Sequence, residues 1–195
     1  MGFVSAVPGV PHSLLVKFKN CLLLRDHSLY HGEFWIENGK IKNPELIFYS
    51  ECRTPDLVID CHGCILAPGF IDIQVNGGFG LDFSSTSDWR KIQEKVSVVG
   101  NGILQHGVTS FCPTLISSKP EFYKKALTLL QRSDGSAKQA GVVGIHLEGP
   151  FISITKHGAH PVDCVVQPDS CLDIDSVYGG AMNQVRNKSL TNSNL

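Results

Sequence analysis

The hydrophobic pattern of the chain changes once. From Ser13 to Ala67 the apolar positions come as short runs: Leu14-Leu15-Val16-Lys17-Phe18, Cys21-Leu22-Leu23-Leu24, Glu33-Phe34-Trp35-Ile36-Glu37, Lys40-Ile41, Leu57-Val58-Ile59-Asp60 and Ile65-Leu66-Ala67. These runs are too short for helices and read as strands. Asn38-Gly39, between two of them, is the residue pair of a type I′ hairpin. Residues 13–67 are therefore expected to form a small β-sandwich or barrel part with too few strands to close alone. Residues 1–12, with Pro8, Gly9 and Pro11, read as a loose leader.

After Pro68-Gly69 the runs lengthen and helical periods enter. Residues 70–76 predict a strand with Asp72, Gln74 and Asn76 on one face and Ile71, Ile73 and Val75 on the other. The glycine run Gly77, Gly78, Gly80 reads as a tight turn that lets backbone approach a pocket; a phosphate cradle is the sharper alternative, but no phosphate-loop fingerprint fits. Ile92, Val96, Val99 and Ile103 share one side of a helix that Ser87 or Asp88 would cap and Gly107 would end. Residues 108–112 predict a second strand, closed by Pro113. A second helix is expected from near Pro120 to near Arg132, with Ser117 or Ser118 as its cap. Residues 133–140 form a polar linker, and 142–147 a third, largely apolar strand. The order β-α-β-α-β implies an α/β fold with parallel strands and right-handed crossovers. Residues 162–195 are rich in Asp, Ser and Asn without an apolar period, and are expected to be a divergent, disordered tail. The Asn187-Lys188-Ser189 sequon within it carries no weight without a secretion signal.

Composition narrows the partners. With 42% hydrophobic and 18% charged residues and a net charge of −1, nothing favours nucleic acid or an anionic membrane. No apolar run is long enough to span a bilayer, and the N-terminus lacks a signal-peptide pattern, so a cytoplasmic protein is expected. The seven cysteines are scattered. Cys61-His62-Gly63-Cys64 has C-x-x-C spacing, but no second metal-binding pair follows, and it reads as a structural thiol pair in preference to a zinc or redox site.

The chemistry gathers at the end of the third strand. In Gly144-Ile145-His146-Leu147-Glu148-Gly149-Pro150-Phe151, the imidazole of His146 and the carboxylate of Glu148 share a face where a parallel α/β sheet keeps its site. Both groups suit a divalent metal, though a strand end with a hydrogen-bonded Glu is the plainer reading.

Ala67-Pro68-Gly69-Phe70-Ile71-Asp72 resembles the first barrel strand of the amidohydrolase superfamily. Where most members carry His-x-His, this chain has Gln74 and Asn76. That replacement, with Asn76-Gly77-Gly78-Phe79-Gly80, Gly107-Val108-Thr109-Ser110-Phe111-Cys112-Pro113-Thr114 and His146-Leu147-Glu148-Gly149-Pro150-Phe151, resembles the N-acetylglucosamine-6-phosphate deacetylase family over about residues 14–161. The resemblance implies a partial TIM (β/α)8-type barrel of about three βα units in residues 68–161, beside the N-terminal β-sandwich part. It implies a metal-dependent hydrolase of amino-sugar catabolism that converts N-acetyl-D-glucosamine 6-phosphate to D-glucosamine 6-phosphate and acetate. Glu148 matches the metal-ligand glutamate, and one divalent ion is implied, zinc being the expected one. Ala159 matches a position that contacts the sugar through its backbone, with His160 beside it. Gln74, Asn76 and His146 are expected to line the pocket.

The family's catalytic aspartate and two further histidine ligands have no counterpart here, since no histidine follows His160. The chain therefore reads as the N-terminal part of a deacetylase, inactive alone. Two alternatives are a non-catalytic fragment that associates with a full-length enzyme, since such enzymes commonly form homodimers, and a different amidohydrolase acting on cyclic amides. Gln74 and Asn76 argue against the second.

Overall fold

The computed structural model describes residues 14–85, 90–167 and 174–179. The expected leader, the Ser87 or Asp88 cap and residues 183–195 lie outside them. The chain divides into two compact units. One is built on the residues up to Phe70 with Gly135–Ala137, the other on Ile71–Asp134 and the residues from Lys138 onward.

In the N-terminal unit, strands β1 (Val16–Arg25), β2 (Ser28–Glu37), β3 (Lys40–Lys42), β4 (Leu57–Asp60) and β5 (Ile65–Leu66) form one mixed sheet. Its order is β3-β2-β1-β4, with β5 also paired to β1. The described strands of this unit thus lie in one sheet. Asn38 and Gly39 have φ of 51° and 70°, as the type I′ hairpin between β2 and β3 requires. A second two-residue turn, at Asp26-His27 with φ of 47° and 61°, joins β1 to β2 and carries no glycine to announce it. The sequence splits β1 at Lys19-Asn20. The structure keeps it whole and absorbs the break in a register shift between Phe18 and Cys21, with Asn20 at φ 54°. Leu15, Trp35 and Ile47 form the core of this sheet.

In the second unit, β6 (Phe70–Val75) is followed by a small hairpin of β7 (Gly77–Gly78) and β8 (Leu81–Asp82). The glycine run is thus a tight turn: a Cβ on Gly77 would lie 2.1 Å from the Leu81 carbonyl oxygen. Helix α1 (Ile92–Leu104) then buries Ile92, Val96 and Val99, the side that its period predicts. Strand β9 (Val108–Ile116) pairs with β6, with β10 (Gly141–Val142) and with β11 (His146–Glu148), the last two in parallel. Helix α2 (Pro120–Leu129) buries Phe122, Tyr123, Ala126 and Leu127. The core also takes in Phe83, Phe111, Leu115 and Val142.

Pro113 does not close β9, which runs on to Ile116. It instead interrupts the neighbouring strand. The Val143 N–H donates to the Phe111 carbonyl at 3.1 Å. In a regular parallel ladder, the next bond would run from the amide of residue 113 to the carbonyl of 143, and proline has no N–H to give. The ladder breaks there: Val143, Gly144 and Ile145 stand opposite only Cys112 and Pro113, before His146 pairs with Thr114. The predicted strand over 142–147 is therefore two short pieces, β10 and β11.

Two further expectations are corrected. Neither Ser117 nor Ser118 caps α2; Lys119 occupies that position without a side-chain cap, because both hydroxyls are engaged elsewhere. The tail is not wholly unstructured. Residues 174–178 form a short helix, α3 (Ile174–Tyr178), whose Val177 and Tyr178 are buried in the core.

Candidate functional site

Glu148 is the last residue of β11, and both its carboxylate oxygens are occupied. Gln74 Nε2 donates to Oε1 at 3.0 Å, and Asn76 Nδ2 to Oε2 at 2.9 Å. Gln74 and Asn76 lie two residues apart at the end of β6, so strand alternation turns both amides to one face. Two amide donors on one carboxylate fix its rotamer.

His160 completes the group. Its Nε2 lies 3.9 Å from Glu148 Oε1, and its side chain is 12% exposed against 33% for Glu148. Nδ1 accepts the backbone N–H of Ser117 at 3.1 Å and meets the Ser117 hydroxyl at 2.8 Å. A backbone amide can only donate, so in the neutral ring Nδ1 is the acceptor and the proton sits on Nε2, facing Glu148. The turn that presents His160 closes with its N–H on the His157 carbonyl at 3.0 Å, and His157 Nδ1–H donates back to the His160 carbonyl at 2.9 Å. Ala159 is exposed within that turn.

The loop after Glu148 is braced from beneath. Gly149 has φ 97°, and a Cβ there would lie 2.3 Å from Ser117 Oγ. Tyr178 donates to the Gly149 carbonyl at 2.7 Å. Tyr123 accepts the Ser118 N–H at 3.1 Å and donates to the Ile116 carbonyl at 2.8 Å. Burial pushes both phenols above the ordinary tyrosine value, Tyr123 the further, so they stay neutral donors.

No protein-family model matches the chain. The N-acetylglucosamine-6-phosphate deacetylase of Caenorhabditis elegans is 48% identical to it over 173 residues, which are 87% of this chain and 41% of that protein. The chain is a partial homologue of the N-acetylglucosamine-6-phosphate deacetylases. It spans about two fifths of the length of the curated relatives it matches. Among solved structures, the deacetylase of Pasteurella multocida superposes with a TM-score of 0.60 at 26% identity, over 80% of this chain and 40% of that one. A Mycobacterium smegmatis deacetylase mutant, solved in complex with N-acetyl-D-glucosamine-6-phosphate, shares the fold with a TM-score of 0.54 at 21% identity, over 91% of this chain and 41% of that one.

In this deacetylase homologue, the residues expected at the site do not all meet. Gln74, Asn76, Glu148 and His160 come together. His146 sits half-buried on the same strand, but its Nδ1 pairs with the Thr114 hydroxyl at 3.3 Å. Ser117, read from sequence as a helix cap, is instead the partner of His160. Nothing in the local pattern distinguishes those roles, because both use a serine just ahead of a helix. Among the described residues, no three His, Cys, Asp or Glu side chains are grouped to hold a metal.

Proposed function

We propose that Glu148 and the groups gathered on it are part of a deacetylase site that acts on N-acetyl-D-glucosamine 6-phosphate, releasing acetate and D-glucosamine 6-phosphate. The observation that carries this reading is the double grip of Gln74 and Asn76 on one carboxylate, with a histidine donor turned toward it.

The fit to a metal is partial. Glu148 is an oxygen donor of the right kind, yet among the described residues the imidazole nitrogen beside it, His160 Nε2, bears the proton in the tautomer described. A catalytic zinc takes three protein ligands and leaves one position open. The described residues do not complete such a centre, so no step is routed through it. In this reading Glu148 supplies one ligand to a divalent ion, zinc being expected, with the others from outside the described residues. A bound ion of this kind polarises an amide carbonyl and acidifies a water.

The chain's own residues have narrower tasks. Gln74 and Asn76 orient Glu148. Nε2–H of His160 donates to an oxygen of the bound acetamide, and the exposed backbone at Ala159 lies beside it for the sugar. His146 lines the pocket through its bond to Thr114. The enclosing fold is a (β/α)8 barrel of which β6, β9 and the β10–β11 pair are three strands, with a β-sandwich part ahead of it. Cytoplasmic location and a homodimer go with this reading.

Because the donor set among the described residues is incomplete, the isolated 195-residue chain is expected to release no acetate with added zinc. Ligand-observed NMR tests recognition separately from turnover. The purified chain should contact the acetyl methyl of N-acetylglucosamine 6-phosphate, and His160→Ala should weaken that contact. Equal binding of glucose 6-phosphate, which has no acetamide, would sink the assignment; Glu148-dependent acetate release would overturn the incomplete site.

A second reading is a non-catalytic chain that associates with a full-length deacetylase. It is favoured by Ile71 and Ile73 of β6, which are 63% and 71% exposed. Co-purification that survives high salt but is lost in Ile71→Asp/Ile73→Asp would support it.

A further inference from the structure

A second cluster of reactive side chains lies in the N-terminal unit, apart from the residues assigned above. The bulge of β1 and the turn between β4 and β5 place Cys21, Cys61 and Cys64 on neighbouring stretches of backbone. The Cys61 N–H donates to the Lys19 carbonyl at 2.9 Å, the Gly63 N–H to the Asn20 carbonyl at 2.8 Å, and the Leu22 N–H to the Cys64 carbonyl at 3.0 Å. The turn Cys61-His62-Gly63-Cys64 closes on itself through the Cys64 N–H and the Cys61 carbonyl at 2.8 Å, with His62 and Gly63 at φ 48° and 81°. It therefore folds over Cys21 and is pinned to it from both sides in sequence.

The three cysteines differ in access. Cys21 is fully buried, with its thiol toward the Lys19 carbonyl at 3.6 Å; Cys61 is half-buried and Cys64 exposed. The Cys21 thiol and the Cys61 N–H thus meet at the same Lys19 carbonyl, at 3.6 Å and 2.9 Å. Burial first, then the Cys61 contact, pushes the Cys21 thiol up to about 11. Of the two, Cys61 is the thiol that a small disulfide can reach. One reachable and one buried thiol so placed is the division of roles that thiol–disulfide exchange needs: the first attacks and the second resolves. Among the described residues this cluster does not form a metal-binding group.

We propose that Cys21 and Cys61 form a reversible disulfide, with Cys61 as the attacking thiol and a low-molecular-weight disulfide as the oxidant. The Cys61 thiolate attacks one sulfur of the oxidant, forming a mixed disulfide and expelling one thiolate, which takes a proton. The Cys21 thiol then gives up its proton and attacks the Cys61 sulfur, breaking the mixed disulfide and releasing the second small thiol. Two protein thiols are oxidised to one disulfide, and one small disulfide is reduced to two thiols. The bond ties the β1 bulge to the end of β4.

The test uses the full chain equilibrated with oxidised and reduced glutathione, followed by peptide mapping without reduction across all seven cysteines. The expected product is a Cys21–Cys61 link that excess reduced glutathione removes. Cys64→Ser should form the same link within about twofold of the wild-type rate. Cys21→Ser should stop at a single glutathione adduct on Cys61. A Cys61–Cys64 link, links only between chains, or seven free thiols would overturn the proposal. If Cys21→Ser does not fold, the wild-type map and the Cys64→Ser rate decide the matter.

Discussion

The two units reach their folds by different routes. In the N-terminal sheet β1, β2 and β3 pair in chain order through two-residue turns, and the core includes Leu15, Trp35 and Ile47. In the second unit, β9 pairs with β6, β10 and β11 across a helix in sequence, and the contacts that build the site join residues 74, 72 and 43 positions apart. Local pairing is enough to make a hairpin. Convergence of a carboxylate, two amides and an imidazole needs long-range closure around a core that contains Phe83, Phe111 and Leu115. Chemistry therefore rests on the unit whose folding depends on distant contacts.

The largest expected effect follows from that difference. Phe111 is fully buried at the centre of the second core, and Phe111→Ala should cost about 3–5 kcal/mol in urea unfolding. Hydrogen exchange should show protection lost in β9, α1 and α2 while the β1–β2 ladder keeps its own. Equal loss in both units would mean that they unfold together, and the contrast would fail.

A smaller effect is expected from Gly149→Ala. A side chain there meets Ser117 Oγ and must adopt a φ of 97°, so about 1–3 kcal/mol should be lost. The damage should be confined to the site: NMR signals of His160 should shift, and those of the N-terminal sheet should not. His27→Gly works in the opposite direction. It relieves a left-handed backbone at φ 61° that costs about 1–2 kcal/mol, offset by about 0.5–1 kcal/mol of glycine entropy. A net gain of about 0.5 kcal/mol in urea unfolding is expected, and a loss would show that the His27 side chain contributes to the hairpin.

The smallest effect is electrostatic. The Lys17 side chain, 2.5 Å from Glu33, holds that carboxyl below its ordinary range, with the Trp35 indole N–H adding to it. Its folded pKa lies under its unfolded one, so the stabilisation is present above the unfolded value and fades as pH falls through the folded one. Glu33 is 46% exposed, and solvent screening leaves about a few tenths of a kcal/mol. Lys17→Met should flatten the acid limb of the stability curve by that amount; an unchanged limb would mean the pair contributes nothing.

What was legible in the sequence follows the range of the interactions. Asn38-Gly39 announced its turn because the conformation and the residue preference are one property. Asp26-His27 makes the same kind of turn without glycine, and only the pairing of Arg25 with Ser28 reveals it. The apolar side of α1 was readable because a helix period is local, and so was the shared face of Gln74 and Asn76. The fate of Pro113 was not readable: whether a proline ends a strand or passes through it depends on which neighbour loses a hydrogen bond. Likewise, the polar stretch beyond Pro161 concealed Val177 and Tyr178, two apolar residues too few to set up a period yet enough to fill a gap beside α2.

By itself the sequence determined the element types, the β-α-β-α-β order, the turn at residues 38 and 39, and the resemblance that the homologues bear out. Each of these is set by spacing within a few residues or by motifs read in order. Only the tertiary structure decided that Glu148 is held by Gln74 and Asn76, that Ser117 sets the His160 tautomer, and that Cys21 and Cys61 converge on the Lys19 carbonyl. A hydrogen bond is made or lost over tenths of an ångström, and no local pattern carries the position of a partner tens of residues away.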